Sequence, residues 1–68
     1  RLAMHLLEQA AIAGNDSFNI THEAIAKDLG SAREVVTRML SRFQDDHLVK
    51  LSRGGIKLID RDALYALT

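Results

Sequence analysis

Sixty-eight residues suffice for one small domain and not for two, and the absence of cysteine removes both a disulfide framework and a thiolate metal site as supports. Apolar side chains make up 47% of the chain, too many for intrinsic disorder, yet no apolar run is long enough to span a membrane and no signal-peptide pattern opens the sequence, so a soluble, cytoplasmic protein is expected. Net charge is zero but unevenly spread: residues 1–32 carry two basic and four acidic side chains, residues 33–59 six and three, which leaves a local positive patch on a neutral domain. The chain opens at Arg1 in the middle of an amphipathic pattern, and residues 1–68 are therefore expected to be a single domain cut from a longer protein.

In chain order, "RLAMHLLEQAAIAG" places Leu2, Leu6, Leu7, Ala10 and Ala13 on one helical stripe that Gly14 can close in the left-handed conformation. "NDSFNI" reads as a turn and a very short strand, with Phe18 and Ile20 alternating inward. Thr21 is a fit N-cap for a helix of barely two turns, "HEAIAKDLG", with Ile25 and Leu29 inward and Gly30 as its stop. Ser31 and Glu34 match the S-x-x-E capping box, which predicts a third helix over about 32–45. On a helical wheel drawn from Arg33, the apolar residues Val35, Val36, Met39, Leu40 and Phe43 span about 200° to 340°, and Arg33, Glu34, Thr37, Arg38, Ser41 and Arg42 share the other half. The apolar half is expected to be core. "LVKLSRGGIKLI", residues 48–59, reads as two strands around Gly54 and Gly55, which can supply the positive φ angles of a tight turn. Asp60 can then cap a short last helix with Leu64 and Leu67 inward, and Tyr65 joins Phe18 and Phe43 as expected core.

The expected fold is thus mainly α with a small β-hairpin: helix, short strand, two helices joined by a glycine turn, hairpin, short helix. A two-turn helix joined by a glycine turn to a longer one is a helix-turn-helix, and the hairpin after it is a wing. The polar face of the third helix suits the DNA major groove. Arginine's fork matches guanine N7 and O6, glutamate can accept from cytosine N4, and threonine can meet a thymine methyl or a phosphate. Arg33, Glu34, Thr37 and Arg38 are therefore the expected base-contacting residues. Thr21, His22, Ser31, Ser41 and Arg42, with Lys50, Arg53 and Lys57 on the wing, are expected on the DNA backbone.

"ITHEAIAKDLGSAREVVTRMLSRFQDDHLVKL" followed by "IKLIDRDAL" resembles the C-terminal DNA-binding domain of the CRP/FNR superfamily of bacterial transcription regulators, over Leu2 to Leu67. In the catabolite-activator branch three recognition-helix positions read bases, and the resemblance carries that role to Arg33, Glu34 and Arg38. In the fumarate-nitrate branch the matching positions are Glu34, Thr37 and Arg38. It further implies a homodimer in the intact protein, a half-site containing TGA, and, in activators, contact with RNA polymerase through the loop "GNDSFN", Gly14 to Asn19. No cofactor is implied within these residues; the effector would belong to a sensor half. Two positions depart from the family pattern: Ala32 stands where a serine or threonine usually bonds the DNA backbone, and His47 where a glycine often ends the third helix.

Two other readings compete. Arg and Glu on a helix are most often a solvated face, and Glu34 has two structural roles open to it, in the capping box or as an i,i+4 partner of Arg38. A winged helix can also serve as a protein-interaction module, which would show apolar or acidic residues, not arginines, on that face. His5, His22 and His47 fall on separate elements without metal-ligand spacing, and no nucleophile, phosphate loop or pocket-forming mass points to an enzyme.

Overall fold

Short-range backbone devices make every junction of this chain, and they set the order in which its elements meet. The computed structural model describes all residues, 1–68. Helix α1 runs Leu2–Ala13 and ends on Gly14 at φ 66°, with the Asn15 N–H donating to Ala10 O at 3.2 Å and the Gly14 N–H to Ala11 O at 3.3 Å, the two bonds of a Schellman closure. Strand β1 follows as Ser17–Asn19. Helix α2, His22–Leu29, begins with the Thr21 hydroxyl accepting from the Ala24 N–H at 3.0 Å and ends on Gly30, φ 65°, in the same closure. Helix α3 is Arg33–Asp45. Strands β2, Val49–Ser52, and β3, Gly55–Leu58, form the hairpin, and Asp60 caps α4, Arg61–Ala66, by accepting from the Ala63 N–H at 3.0 Å.

The sheet has order β1-β3-β2, all antiparallel. β1 pairs Phe18 with Ile56, β2 pairs Leu51 with Ile56, and the pairing continues past β1 where the Ile20 N–H donates to Gly54 O at 3.1 Å. With side chains alternating along a strand, Phe18, Val49, Ile56 and Leu58 turn to the core and Ser17, Lys50 and Lys57 to solvent. Leu2, Leu6, Ile25, Val36, Leu40, Ile56 and Leu64 are almost wholly enclosed, and no polar or charged residue is buried. Helix α1 and α4, the α2–α3 pair and the sheet therefore share one apolar centre, with α3 held across it by Val36 and Leu40.

Several expectations from the sequence need correction. The Ser31–Glu34 capping box does not form: the N-cap of α3 is Ala32, with no side-chain bond, because the Ser31 N–H is already committed to Ala26 O at 2.8 Å in closing α2. Val35 and Met39, expected in the core, are exposed on its margin, since the surface available to α3 is narrower than its apolar arc. Ala13 is exposed, since the burial of α1 ends at Ala10, and Tyr65 and Leu67 are exposed, since α4 buries only Leu64 completely. Of the two glycines in the wing turn, only Gly54 has a positive φ, 69°. Gly55 fits a tight space instead, as a Cβ there would lie 3.1 Å from both Asn19 Oδ1 and Ser52 Oγ, and those side chains would have to give by a few tenths of an ångström.

Candidate nucleic-acid interface

Because Val36 and Leu40 fix one side of α3 to the core, the opposite side must face outward. Ala32, Arg33, Glu34, Thr37, Arg38 and Ser41 line a single shallow concavity along that side. A second depression is lined by Thr21, His22 and Glu23 at the start of α2, by Arg33, and by Ser52, Gly54 and Gly55 at the wing turn. Arg33 belongs to both, so the outer face of α3 is continuous with the start of α2 and the wing turn. All four residues expected to contact bases thus lie on one surface, together with Thr21, His22 and Ser41 from the backbone-contacting set. Arg42, in the last turn of α3, and Lys50 and Lys57, in mid-hairpin, line neither depression; Ser31 and Arg53 are exposed beside them.

The chemistry of this surface is set by what its side chains do not do. The only acid–base approaches at ion-pair distance are Asp16 with Arg61, at 3.1 Å, and Asp28 with His5 Nε2, at 3.4 Å, the second an ion pair only with a protonated imidazole. Arg33, Arg38, Arg42, Lys50, Arg53 and Lys57 have no acidic partner. Glu34 has neither its capping-box bond nor an ion pair with Arg38, so both structural roles open to it in the sequence are vacant. On the wing, Lys50 and Lys57 are direct cross-strand partners on the solvent face of the hairpin, a like-charge pairing that is unfavourable until an anion lies over it. Arg42, in the last turn of α3, interacts favourably with the negative end of the helix dipole.

Three interactions were not visible in the sequence. His22 Nδ1 lies 2.9 Å from Thr37 Oγ1, joining the first residue of α2 to the second turn of α3. Gln44 Oε1 accepts from the Leu51 N–H at 2.8 Å, so α3 also holds the outer edge of β2 and ties the wing to the helix. His5 is largely enclosed between α1 and α2, with Nε2 at ion-pair distance from Asp28 but without hydrogen-bond geometry. At the end of α3, His47 occupies the left-handed position at φ 61°, and the bonds from the His47 N–H to Gln44 O (3.0 Å) and from the Leu48 N–H to Phe43 O (2.9 Å) complete the Schellman closure without a glycine. No group of three or more His, Cys, Asp or Glu side chains converges anywhere in the molecule, and no helix is long and apolar enough to cross a membrane.

The family model of the Crp-like helix-turn-helix domain matches residues 1–67. A solved transcriptional regulator of the CRP/FNR family from Eubacterium rectale is 54% identical and superimposes with a TM-score of 0.96 over 98% of this chain and 31% of its own. The catabolite activator protein of Thermus thermophilus is 26% identical, TM-score 0.89, over 97% of this chain and 31% of its own. A second Thermus thermophilus protein, a transcriptional regulator of the CRP/FNR family, is 29% identical, TM-score 0.90, over 98% of this chain and 38% of its own. No curated protein sequence matches the chain. It spans about a third of the length of the regulators it resembles. With the helix-turn-helix, the wing and the whole-length family match in agreement, this chain belongs to the Crp-like helix-turn-helix domains of the CRP/FNR regulators.

Proposed function

We propose that this domain binds duplex DNA and reads its sequence, with α3 in the major groove and the wing along the backbone. The observation that carries the reading is the outer face of α3, where Arg33, Glu34 and Arg38 are exposed and have no internal partner. An arginine already paired within the protein would have to break that pair before meeting a base; these do not. A 13-residue helix is about 20 Å long, and its first two turns fit a groove about 12 Å wide. Arg33 and Arg38 are assigned guanine edges, Glu34 a cytosine amino group and Thr37 an adjacent base. Thr21, His22, Ser31, Ser41, Arg42, Lys50, Arg53 and Lys57 are assigned to phosphates.

The same reading assigns two such domains, on the two halves of a homodimer, to a palindrome with TGA in each half-site. TGTGA is favoured over TTGAT because Arg33 is present. The loop Gly14–Asn19 is assigned to RNA polymerase; its middle is fixed by the Asp16–Arg61 pair and by the Leu58 N–H donating to Asp16 O at 2.8 Å, which gives a partner a defined surface. The test is selection of bound sequences from a random duplex pool. Arg33→Ala or Arg38→Ala should cost about 5- to 150-fold on the preferred site and relax one base pair per half-site, from roughly 1 to 3 kcal/mol per bidentate contact. Arg53→Ala or Lys57→Ala should weaken all sequences alike. An Arg38→Ala variant with unchanged sequence preference would show that α3 is not the reading element.

A further inference from the structure

The hydroxyl of Thr37 is bound before any DNA arrives. We propose that His22 is a specificity-determining positioning residue: by holding the Thr37 hydroxyl it decides which hydrogen-bonding function Thr37 offers to a base. The inference rests on the proposed reading of DNA by α3.

A threonine in a helix divides between two χ1 rotamers, because its oxygen can turn back to a carbonyl of the preceding turn. Here Thr37 Oγ1 is instead 2.9 Å from His22 Nδ1, across the α2–α3 junction. That bond selects one rotamer and so fixes where the methyl group stands. It also fixes polarity. A threonine hydroxyl has a single proton and two lone pairs, and a neutral imidazole has one N–H and one bare nitrogen. His22 also lines the depression shared by Arg33 and the wing turn, the place assigned to a phosphate. An Nε2–H donated to a phosphate oxygen leaves Nδ1 as the acceptor, and the only proton of Thr37 then goes to His22. What Thr37 keeps for the groove is a lone pair and a methyl group. It can accept from the amino group of cytosine N4 or adenine N6, and it cannot donate to guanine O6 or thymine O4. A free threonine hydroxyl could do either, which is why hydroxyl side chains usually discriminate poorly between bases. His22 converts an ambiguous reader into an acceptor, without itself touching a base.

The test compares sequence selections from a random duplex pool by the 68-residue chain at low ionic strength, where weak complexes are retained. The wild-type chain should prefer an amino-bearing base, cytosine or adenine, at one position. His22→Ala should flatten that position about 2- to 12-fold, the worth of one hydrogen bond, and Thr37→Val, which keeps the shape and removes the hydroxyl, should flatten the same one. In the Thr37→Val background, His22→Ala should change preference no further. His22→Asn, which can set an amide oxygen near the place of Nδ1, should retain the preference. Circular dichroism of each variant establishes that it is folded, and His22→Asn keeps the comparison open should His22→Ala unfold. If His22→Ala weakens all sequences alike and leaves the position profile unchanged, His22 is a phosphate contact only and the inference is overturned while the proposed function stands. If Thr37→Val changes no position although Arg38→Ala does, Thr37 is no reader and the inference falls at its root. A wild-type chain that selects no sequence at all overturns the proposed function as well.

Discussion

Helix α3 starts without a cap, and Ala32→Ser should supply one. The backbone is already in place: Thr21, which caps α2, has φ −88° and ψ 154°, and Ala32 has φ −82° and ψ 144°. At Thr21 this geometry brings the hydroxyl within 3.0 Å of the N–H three residues on. A serine at 32 would aim its oxygen at the Val35 N–H in the same way. The gain is reduced because that N–H already donates to Ala32 O at 3.1 Å, sharing the carbonyl with the Val36 N–H at 3.2 Å. Cap substitutions are worth about 0.5–2 kcal/mol, and a group that exchanges one partner for another belongs in the lower half, about 0.5–1 kcal/mol. Ala32 is exposed, so the hydroxyl costs nothing in desolvation. For a domain of this size, the corresponding rise in Tm is about 2–8 °C. Thermal unfolding followed by circular dichroism measures it. On DNA the same serine adds a donor toward the backbone, so affinity should rise on all sequences with base preference unchanged. A Tm that stays or falls would show that the missing cap does not limit α3.

Further outcomes follow from other positions. His47→Gly should raise stability by about 0.5 kcal/mol, seen as a higher urea midpoint, because a left-handed non-glycine residue costs roughly 1–2 kcal/mol and the extra freedom of glycine in the unfolded chain returns only part of that. Thr21→Ala should destabilise by about 1 kcal/mol, whereas Ser31→Ala should leave the melting curve within about 0.5 kcal/mol, since only the first of these hydroxyls caps a helix. The 68-residue chain should sediment as a monomer and bind DNA at about 10⁻⁴ to 10⁻⁶ M in physiological salt. With phosphate contacts from Arg42, Lys50, Arg53 and Lys57, log K against log salt should have a slope of about −3.6, and a stable dimer of nanomolar affinity would contradict this.

Where the sequence could be read, the signal was local. Thr21, Asp60, Gly14 and Gly30 act on atoms three to five residues away, so their roles as caps and stops follow from chain order alone. The capping box at Ser31 failed for the same reason: two local devices competed for one residue, and closing α2 took the backbone that the box required. Periodicity gave the direction of each buried face but not its width. The apolar arc of α3 covers about 140° of the wheel, and only Val36 and Leu40, inside its last third, are fully buried, with Phe43 partly so. A domain this small has little core to offer, so Val35 and Met39 remain at its edge. Pairing of β1 with β3 joins residues some 40 apart and has no local signature at all. The site divides in the same manner. The outward placement of its arginines and glutamate follows from residue type and phase, while the bonds from His22 to Thr37 and from Gln44 to the wing depend on how α2, α3 and β2 pack.

A neutral domain with an unpaired positive third should behave differently from a basic one. Residues 1–32 are net negative, and the two acids with a basic side chain at ion-pair distance, Asp16 and Asp28, lie among them. None of the six basic residues between 33 and 59 is neutralised by a neighbour. At a distance beyond the Debye length, about 8–10 Å in physiological salt, such a molecule has little net attraction for a polyanion. Closer in, it should have a preferred orientation, because the unpaired basic residues of α3 and the wing attract a polyanion. The charge asymmetry therefore contributes more to alignment than to capture. On the proposed reading, sequence-independent binding, which scales with the phosphates neutralised, should stay weak, and a larger share of the binding free energy should come from base contacts on α3. On that partition His22 and Arg33 would be pivotal, since each sits where α3, the start of α2 and the wing turn adjoin, and a change at either should alter alignment and reading together.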